Sequence, residues 1–583
     1  MTLLSTYKKL NSNIFIFVFL FGLVGAFALP PFGAWFAIFI SLGRFYVYLA
    51  QLQQSGKAKK YTFFIYGWLF AFGYHLFGLY WIGNALLVEG NEYIWAWPFA
   101  VLGLPALLAL FTGFATFTSC HLFKLDKLNG YLGTIAIFAL TEWLRGHLFT
   151  GFPWNLYGYS WSQALPMLQI LSVIGIYGLS ALTLLWGFLP GFIYIWGVSQ
   201  RYKYACAMFI VSTFIATLSF GYIRLYSAAQ HHINDSTSYV HIVQPNIQQK
   251  DKWAPEKAAD NLRILINLSE QGYGMNASET AISDHQGQAD IDEPSDAAQR
   301  NSIESADKTN LTKAPAKTTF IVWPETAISD HLLSVPVVQS SIRNMLARYD
   351  HNVYLVSGHL RITQTPQDDD SDITINNYHN SLSVFDAALQ RITSYDKSHL
   401  VPFGEYIPFQ KWIPLKTITQ FSGFKTGSHT NTIELDSTEL STDNFLFSGL
   451  ICYEIIFPNE AVEHDTQDNT KYKKPAFIVN VTNDGWYGNS TGPYQHFAMA
   501  RARAIEQGLP VIRSANTGIS GVFDAYGQEI FRIDLISAGA KTHRIPSKLQ
   551  NATIYSRNGN LLFWLFVILH FGTACIFIII KRS

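Results

Sequence analysis

The sequence predicts two architectures in one chain: a polytopic α-helical membrane domain with eight transmembrane helices, and an extracytoplasmic α/β domain. Three observations predict it. Charged residues are only 14% of the 583 positions while aromatic residues reach 15%, a balance unusual for one large soluble protein. Uncharged apolar stretches long enough to cross a bilayer, which takes roughly 20 helical residues, crowd the first 224 residues and recur near the end. Between 235 and 556 the apolar runs shorten to five to eight residues rich in Val and Ile, the mark of strands.

Spans are expected near 13–30, 33–50, 61–84, 94–119, 130–148, 168–197 and 204–223, within a membrane domain covering 1–224, and near 560–580 in a C-terminal segment 557–583. Only Arg44 and the pair Glu142/Arg145 interrupt their interiors. That pair is three residues apart, so it shares a helix face and is expected to be a structural ion pair. Ala26-Phe27-Ala28, downstream of Lys8 and Lys9, looks like a signal-peptide cleavage site. The first span is nonetheless expected to stay, because the loop charges alternate best with all eight spans present.

Short loops rich in Lys and Arg remain cytoplasmic. Counted from an inner N-terminus, the inner loops hold Lys8, Lys9, Lys57, Lys59, Lys60, Lys124, Lys127, Arg201, Lys203, Lys581 and Arg582, whereas the short outer loops 29–32, 85–93 and 149–167 hold no basic residue. Residues 225–556 are therefore expected outside and both termini inside. A formal net charge of zero argues against nucleic acid as a partner. His231 and His232, just past the seventh span, read as interfacial residues rather than metal ligands.

In the outer region, runs at Tyr239–Val243, Phe320–Trp323, Val353–Gly358, Ser381–Phe385, Phe447–Ile451, Ala476–Val481 and Val511–Ser514 read as strands. Helical patterns at Pro255–Glu270, Leu332–Asp350 and Pro493–Gln507 lie between several of them, and this alternation predicts an α/β domain over 235–556 with both sheet faces covered. Residues 272–318 are rich in Ala, Ser, Asp, Asn and Gln and are expected to be a disordered insertion. The Asp368–Asp370 run with Asp372 reads as a solvated loop, since it lacks the glycine and distal Glu of a calcium site.

Reactive groups in such folds gather at the carboxyl ends of strands. Glu325 follows one apolar run beside Trp323 and Pro324, and Cys452 follows another. A carboxylate in apolar surroundings can serve as a base near neutrality. Of four cysteines, Cys120, Cys206 and Cys575 lie in or at the ends of spans, which leaves Cys452 alone outside. An unpaired thiol in an exported domain is either a buried small apolar residue or a group in use. In Leu450-Ile-Cys452-Tyr453-Glu454 the thiol ends a strand, where it can become a thiolate and where the following N–H groups can receive an oxyanion.

Taken in chain order, Trp323-Pro-Glu325, Asp396-Lys397 and Cys452-Tyr-Glu454 resemble the catalytic set of the nitrilase superfamily. Within it, Val401-Pro-Phe-Gly-Glu405, Gln244-Pro-Asn-Ile-Gln with Trp253, Asn483-Asp-Gly-Trp486-Tyr-Gly, Glu142-Trp-Leu-Arg145-Gly and Thr150-Gly-Phe-Pro-Trp-Asn resemble the apolipoprotein N-acyltransferase branch. The resemblance covers nearly the whole chain, and the insertion at 272–318 is the main departure. It implies a nitrilase-like αββα sandwich, on the periplasmic side of a bacterial inner membrane. It also implies acyl transfer from a phospholipid donor, through a Cys452 thioester, to the α-amine of a diacylglyceryl-modified apolipoprotein. In that scheme Glu325, Lys397 and Cys452 are catalytic, Glu405, Tyr453 and Glu454 support them, and Trp253, Phe403 and Trp486 bind substrate. No cofactor and no metal are implied, and a monomer is expected.

The segment between Lys397 and Cys452 carries Phe403, Tyr406, Phe409, Trp412, Phe421 and Phe424, interleaved with prolines. So apolar a stretch on a water-facing domain should be covered in the core or enter the membrane interface, where it would bring the thiol to a phospholipid ester. Two rivals remain at the level of sequence. A membrane-tethered amidase or nitrilase hydrolysing a small carbon–nitrogen bond would use the same three residues. A transporter or scaffold is weakened by the scarcity of charges inside the spans.

Overall fold

The computed structural model describes residues 14–89, 91–230, 238–272, 318–366, 374–407, 423–428, 430–435, 445–463 and 474–580. Each expected span coincides with an apolar helix: α1 Ile14–Ala26, α2 Phe36–Gln54, α3 Lys60–Leu79, α4 Trp97–Leu122, α5 Leu128–Arg145, α6 Leu171–Ile195, α7 Gln200–Gln230 and, at the far end, a helix over Leu561–Ile580. Among the described residues, four helical stretches are by length and composition long and apolar enough to cross a membrane: Lys60–Leu87, Ile94–Leu122, Leu171–Ile195 and Gln200–Ala229. Glu142 and Arg145 form the expected pair at 2.9 Å. Arg145 Nη1 also donates to the Phe152 and Trp154 carbonyls at 2.8 and 2.7 Å, and the Tyr157 N–H donates to Glu142. The buried charges therefore shape the 152–157 loop, which faces the second domain.

That domain holds two six-stranded sheets. The first contains β1 Ser238–Gln244, β2 Thr318–Ser329, β3 Asn352–Pro366, β4 Thr374–Phe385 and β5 Arg391–Asp396, with β12 Gly539–Arg544 on its edge, in the order β12-β1-β2-β3-β4-β5. The second runs β11-β10-β9-β8-β7-β6, with β6 Thr432–Leu435, β7 Phe445–Ile451, β8 Phe477–Thr482, β9 Val511–Ala515, β10 Ser520–Phe523 and β11 Glu529–Ile533. In both, the central strands pair parallel and the edges antiparallel. Alternate side chains such as Ile242, Phe320, Val356, Leu382, Phe447, Val479 and Ile512 fill the space between the sheets.

Helices α8 Ala258–Glu270 and α9 Pro336–Leu346 cover the first sheet, burying Leu262, Leu265, Ile342, Met345 and Leu346 against Ile321, Trp323 and Leu355. Each such side chain contributes about 1.5–3 kcal/mol by leaving water. Helix α10 Gly492–Gln507 covers the second sheet, which completes an αββα sandwich. Its Ala500, Ala504 and Ile505, with Leu450, Ile478 and Phe523, join the same apolar core as Leu171, Tyr177 and Leu179 of α6. The outer layer of the sandwich is thus continuous with the helical bundle, and the helix over Leu561–Ile580 is α11.

Several expectations need adjusting. The helix expected over Leu332–Asp350 is broken after Leu333, and α9 restarts at Pro336, a residue that suits a first helical position but not an interior one. Strands β5, β6, β10, β11 and β12 have no counterpart in the expected set. Strand β2 does not end before Glu325. It continues to Ser329 through a bulge in which residues 324–327 face Gly358 alone on β3. Most of the insertion (273–317), the Asp368–Asp370 run with Asp372, His231, His232, Phe409, Trp412 and Phe421 lie outside the described residues.

Candidate active site

The bulge in β2 turns the Glu325 side chain out of the ladder, and it requires a partner without a side chain. A Cβ at Gly358 would collide with Glu325 Cα, the Pro324 carbonyl and the Thr326 nitrogen. Lys397 stands directly after β5, and its N–H donates to the Asn380 carbonyl at 2.8 Å. Cys452 stands directly after β7, at φ +51°. A left-handed conformation costs a residue with a Cβ about 1–2 kcal/mol, and a surrounding network must hold it there.

The bulge in β2 and the ends of β5 and β7 bring the expected residues together. Lys397 Nζ lies 2.9 Å from Glu405 Oε2 and 3.7 Å from Glu325 Oε1. Asn380 Nδ2 donates to Glu325 Oε1 at 2.7 Å and to Glu405 Oε1 at 2.9 Å, so one carboxamide spans both carboxylates. All four side chains are buried. Burial opposes the charge on Lys397, but Glu405, Glu325 and Cys452 outweigh it and hold the ammonium well above the usual lysine range. Burial, reinforced by Glu325, pushes the Cys452 thiol up to about 12. At neutral pH the thiol therefore keeps its proton until a base takes it.

Glu454 fastens the lysine to the cysteine. Its carboxylate accepts from Tyr395 Oη (2.7 Å), the Ser398 N–H (2.8 Å), the His399 N–H (3.1 Å) and the Ile451 N–H (2.8 Å). The loop after β5 and the turn after β7 are thus pinned to one group, whose carboxyl burial pushes up. Tyr453 reaches the other way and donates through Oη to the Gly151 carbonyl at 3.2 Å.

The residues expected to bind substrate stand beside this cluster. Trp253 packs with Leu360, Leu400 and Phe424, next to Lys252, whose amine donates to the Glu325 carbonyl at 2.8 Å. Phe403 is 48% exposed in the turn that carries Glu405. Trp486 is half-buried in the turn Asp484–Tyr487. Of the apolar segment between Lys397 and Cys452, Phe424 is buried and Phe403 is exposed.

Sequence reasoning missed Asn380, Lys252 and a buried group behind the cysteine. There, Asp484 Oδ2 accepts from Arg513 at 2.8 Å and His496 Nδ1 lies 2.9 Å from Asp484 Oδ1. Arg513 and His496 hold the Asp484 carboxyl down at about 2 against the opposing effect of burial. Asn483-Asp-Gly-Trp486 was the one available signal for this group. Asn380 and Lys252 sit in polar stretches with no motif to mark them.

Comparison with known proteins identifies the family. A family model described as the apolipoprotein N-acyltransferase N-terminal domain matches residues 21–189, and one described as carbon-nitrogen hydrolase matches residues 240–548. The apolipoprotein N-acyltransferase of Rhodopseudomonas palustris is 32% identical over 94% of this chain and 92% of its own length. That of Rhizobium rhizogenes is 34% identical over 94% and 92%. Among solved structures, a mutant of the Nesterenkonia AN1 amidase from the nitrilase superfamily aligns with 57% of this chain and 98% of its own, at 14% identity and a TM-score of 0.31. With a bundle of apolar helices, a carbon–nitrogen hydrolase sandwich and relatives that match both over nearly their full length, the chain belongs to the apolipoprotein N-acyltransferases, acyltransferases of the carbon–nitrogen hydrolase superfamily.

Proposed function

We propose that this enzyme moves a fatty acyl chain from a membrane phospholipid, through a thioester on Cys452, to the α-amine of the N-terminal diacylglyceryl-cysteine of apolipoproteins. The observation that carries the mechanism is the buried set Glu325, Lys397 and Glu405, with Lys397 Nζ 2.9 Å from Glu405 and 3.7 Å from Glu325 beside the protonated thiol. Glu325 takes the thiol proton as sulfur attacks the ester carbonyl. Lys397 and the Tyr453 N–H stabilise the tetrahedral oxyanion. The C–O bond then breaks, Glu325 gives its proton to the departing lysophospholipid oxygen, and the acyl group remains on sulfur. In the second half the amine attacks the thioester carbonyl, Glu325 removes the amine proton, the C–S bond breaks, and the proton returns to the thiolate. Glu405 keeps Lys397 charged and in place, and Glu454 sets the lysine and cysteine loops relative to each other.

The same reading assigns residues 1–224 to a membrane domain of seven spans and 557–583 to an eighth. The sandwich, 235–556, stands on the periplasmic side of a bacterial inner membrane, with both termini cytoplasmic and the enzyme a monomer. The distribution of Lys and Arg over the loops supports this orientation. Trp253, Phe403 and Trp486 bind the lipid substrates around the cluster. The test is a transfer assay with purified enzyme, phospholipid and a synthetic diacylglyceryl-lipopeptide bearing a free α-amine. A gain of one acyl mass as a hydroxylamine-stable amide is the expected result. An unmodified lipopeptide alongside hydrolysis of a small amide or nitrile would refute it.

A further inference from the structure

The amino end of α10 carries two adjacent polar side chains, both buried, that face different partners. Gln495 faces the helical bundle. Its Oε1 accepts from Trp154 Nε1 at 2.8 Å and Trp81 Nε1 at 3.2 Å, and its Nε2 donates to the Gly78 carbonyl at 3.2 Å. His496 faces the nucleophile, with Nε2 3.1 Å from the Cys452 carbonyl oxygen. A carbonyl can only accept, so this contact is a hydrogen bond in the forms of the ring that carry a proton on Nε2. Its Nδ1 lies 2.9 Å from Asp484 and 3.0 Å from Arg513, and its ring stands 5.4 Å from that of Trp154. The imidazole is wholly buried and fixed on three sides.

Cys452 is the residue that needs such a hold. At φ +51° it occupies a conformation that persists only when its surroundings over-determine it, and its carbonyl belongs to the peptide whose N–H is Tyr453, the proposed oxyanion donor. Glu454 fixes the Ile451 side of this turn; His496 fixes the carbonyl in the middle. We propose that His496 is a positioning residue for the nucleophile, its Nε2–H orienting the Cys452–Tyr453 peptide toward the oxyanion, and that the helical bundle sets the imidazole through Trp154 and Gln495. On this account the bundle does more than hold the sandwich at a lipid surface: it is part of the scaffold that aims the thiol. The proposal rests on Cys452 being the acyl-accepting nucleophile.

Two substitutions separate positioning from packing. In His496→Asn the amide takes the place of Nδ1, keeping the side toward Asp484 while falling short of the Cys452 carbonyl. In His496→Gln the longer amide reaches the carbonyl. Full-length enzyme in detergent is given phospholipid, and thioester formation on Cys452 is followed by quench-flow and mass spectrometry, with thermal unfolding as a check on folding. A displacement on the order of 1 Å near the reacting atoms costs roughly 100-fold in rate. H496N is therefore expected to lose about 100-fold in the saturating acylation rate with its half-saturating phospholipid concentration unchanged, and H496Q to stay within about 10-fold of wild type. Equal losses in both variants, or no loss in either, overturn the proposal. If H496N does not fold, a folded H496Q that falls about 100-fold overturns it equally. A wild-type enzyme that forms no thioester at all refutes the Cys452 assignment itself, and the proposal falls with it.

Discussion

The two helical layers of the sandwich differ in what they do with charge. On the first sheet, α8 and α9 bury an apolar stripe and leave Asp260, Arg263 and Arg343 exposed, as amphipathic helices facing water do. On the second, α10 buries Gln495, His496, Arg503 and Glu506 along with its apolar residues. Arg503 Nε pairs with Glu506 at 2.9 Å, and the Ile176 N–H of α6 donates to Glu506 at 2.8 Å. Buried charges cost several kcal/mol each unless paired; here Arg503 and Glu506 pair within α10 while the helical bundle adds the Ile176 N–H to Glu506 and the partners of Gln495. The water-side layer is a generic cover for a sheet. The bundle-side layer is an interface specific to this assembly, and the turn that carries Cys452 leans on it through His496.

The largest expected effects lie where the β2 bulge meets the ends of β5 and β7. Cys452→Ala removes the only thiol of the site and should leave no acyl-enzyme in a folded protein. Glu325→Gln should slow acylation about 10²–10⁴-fold, and Lys397→Met about 10²–10³-fold through loss of oxyanion stabilisation, both read as pre-steady-state thioester formation. Next, the contrast between layers can be broken directly. Arg503→Ala strands Glu506 in the interface and should cost about 3–5 kcal/mol, whereas Arg343→Ala on the exposed face of α9 should change stability by less than about 0.5 kcal/mol. Thermal unfolding of the two variants in the same detergent measures the difference, and equal shifts would erase the distinction drawn between the layers.

An effect confined to low pH sharpens the account of the buried group behind Cys452. Asp484 titrates at about 2, below its ordinary 3.8. Its stabilising contribution, roughly 2 kcal/mol, should be complete above about pH 4 and lost as pH falls toward 2. The stability gap between wild type and Asp484→Asn should accordingly close over that interval. A gap that stays constant from pH 5 to 2.5 would mean the carboxylate is not held down by Arg513 and His496.

Much of this was legible in the sequence, for identifiable reasons. Spans announce themselves by length and absence of charge, and all eight expected positions carry helices. Parallel central strands such as Phe447–Ile451 are continuous apolar runs because both faces are buried. The edges were not legible: β5, reading Arg391-Ile-Thr-Ser-Tyr-Asp396, and β12, reading Gly539-Ala-Lys-Thr-His-Arg544, expose polar residues and carry no period that separates them from loops. The continuation of β2 past Glu325 was hidden because a bulge depends on the partner strand, and the crowding at Gly358 is visible only once β3 is in place. His496 and Arg503 belong to an interface, and in a single helix they read as an ordinary solvated face. Glu325, Lys397 and Cys452 stand out as candidates because each sits beside an apolar run or within a motif, while Asn380, which touches two of the carboxylates, has neither.

The central claim is that Cys452 carries the acyl group between the two lipid substrates. Its most direct test is peptide mass spectrometry on purified enzyme incubated with phospholipid alone. The account predicts a fatty-acyl adduct on the peptide containing Cys452 that hydroxylamine releases, that a diacylglyceryl-lipopeptide discharges, and that Glu325→Gln fails to accumulate. A Cys452 peptide that stays unmodified by phospholipid while the lipopeptide is still acylated would contradict it.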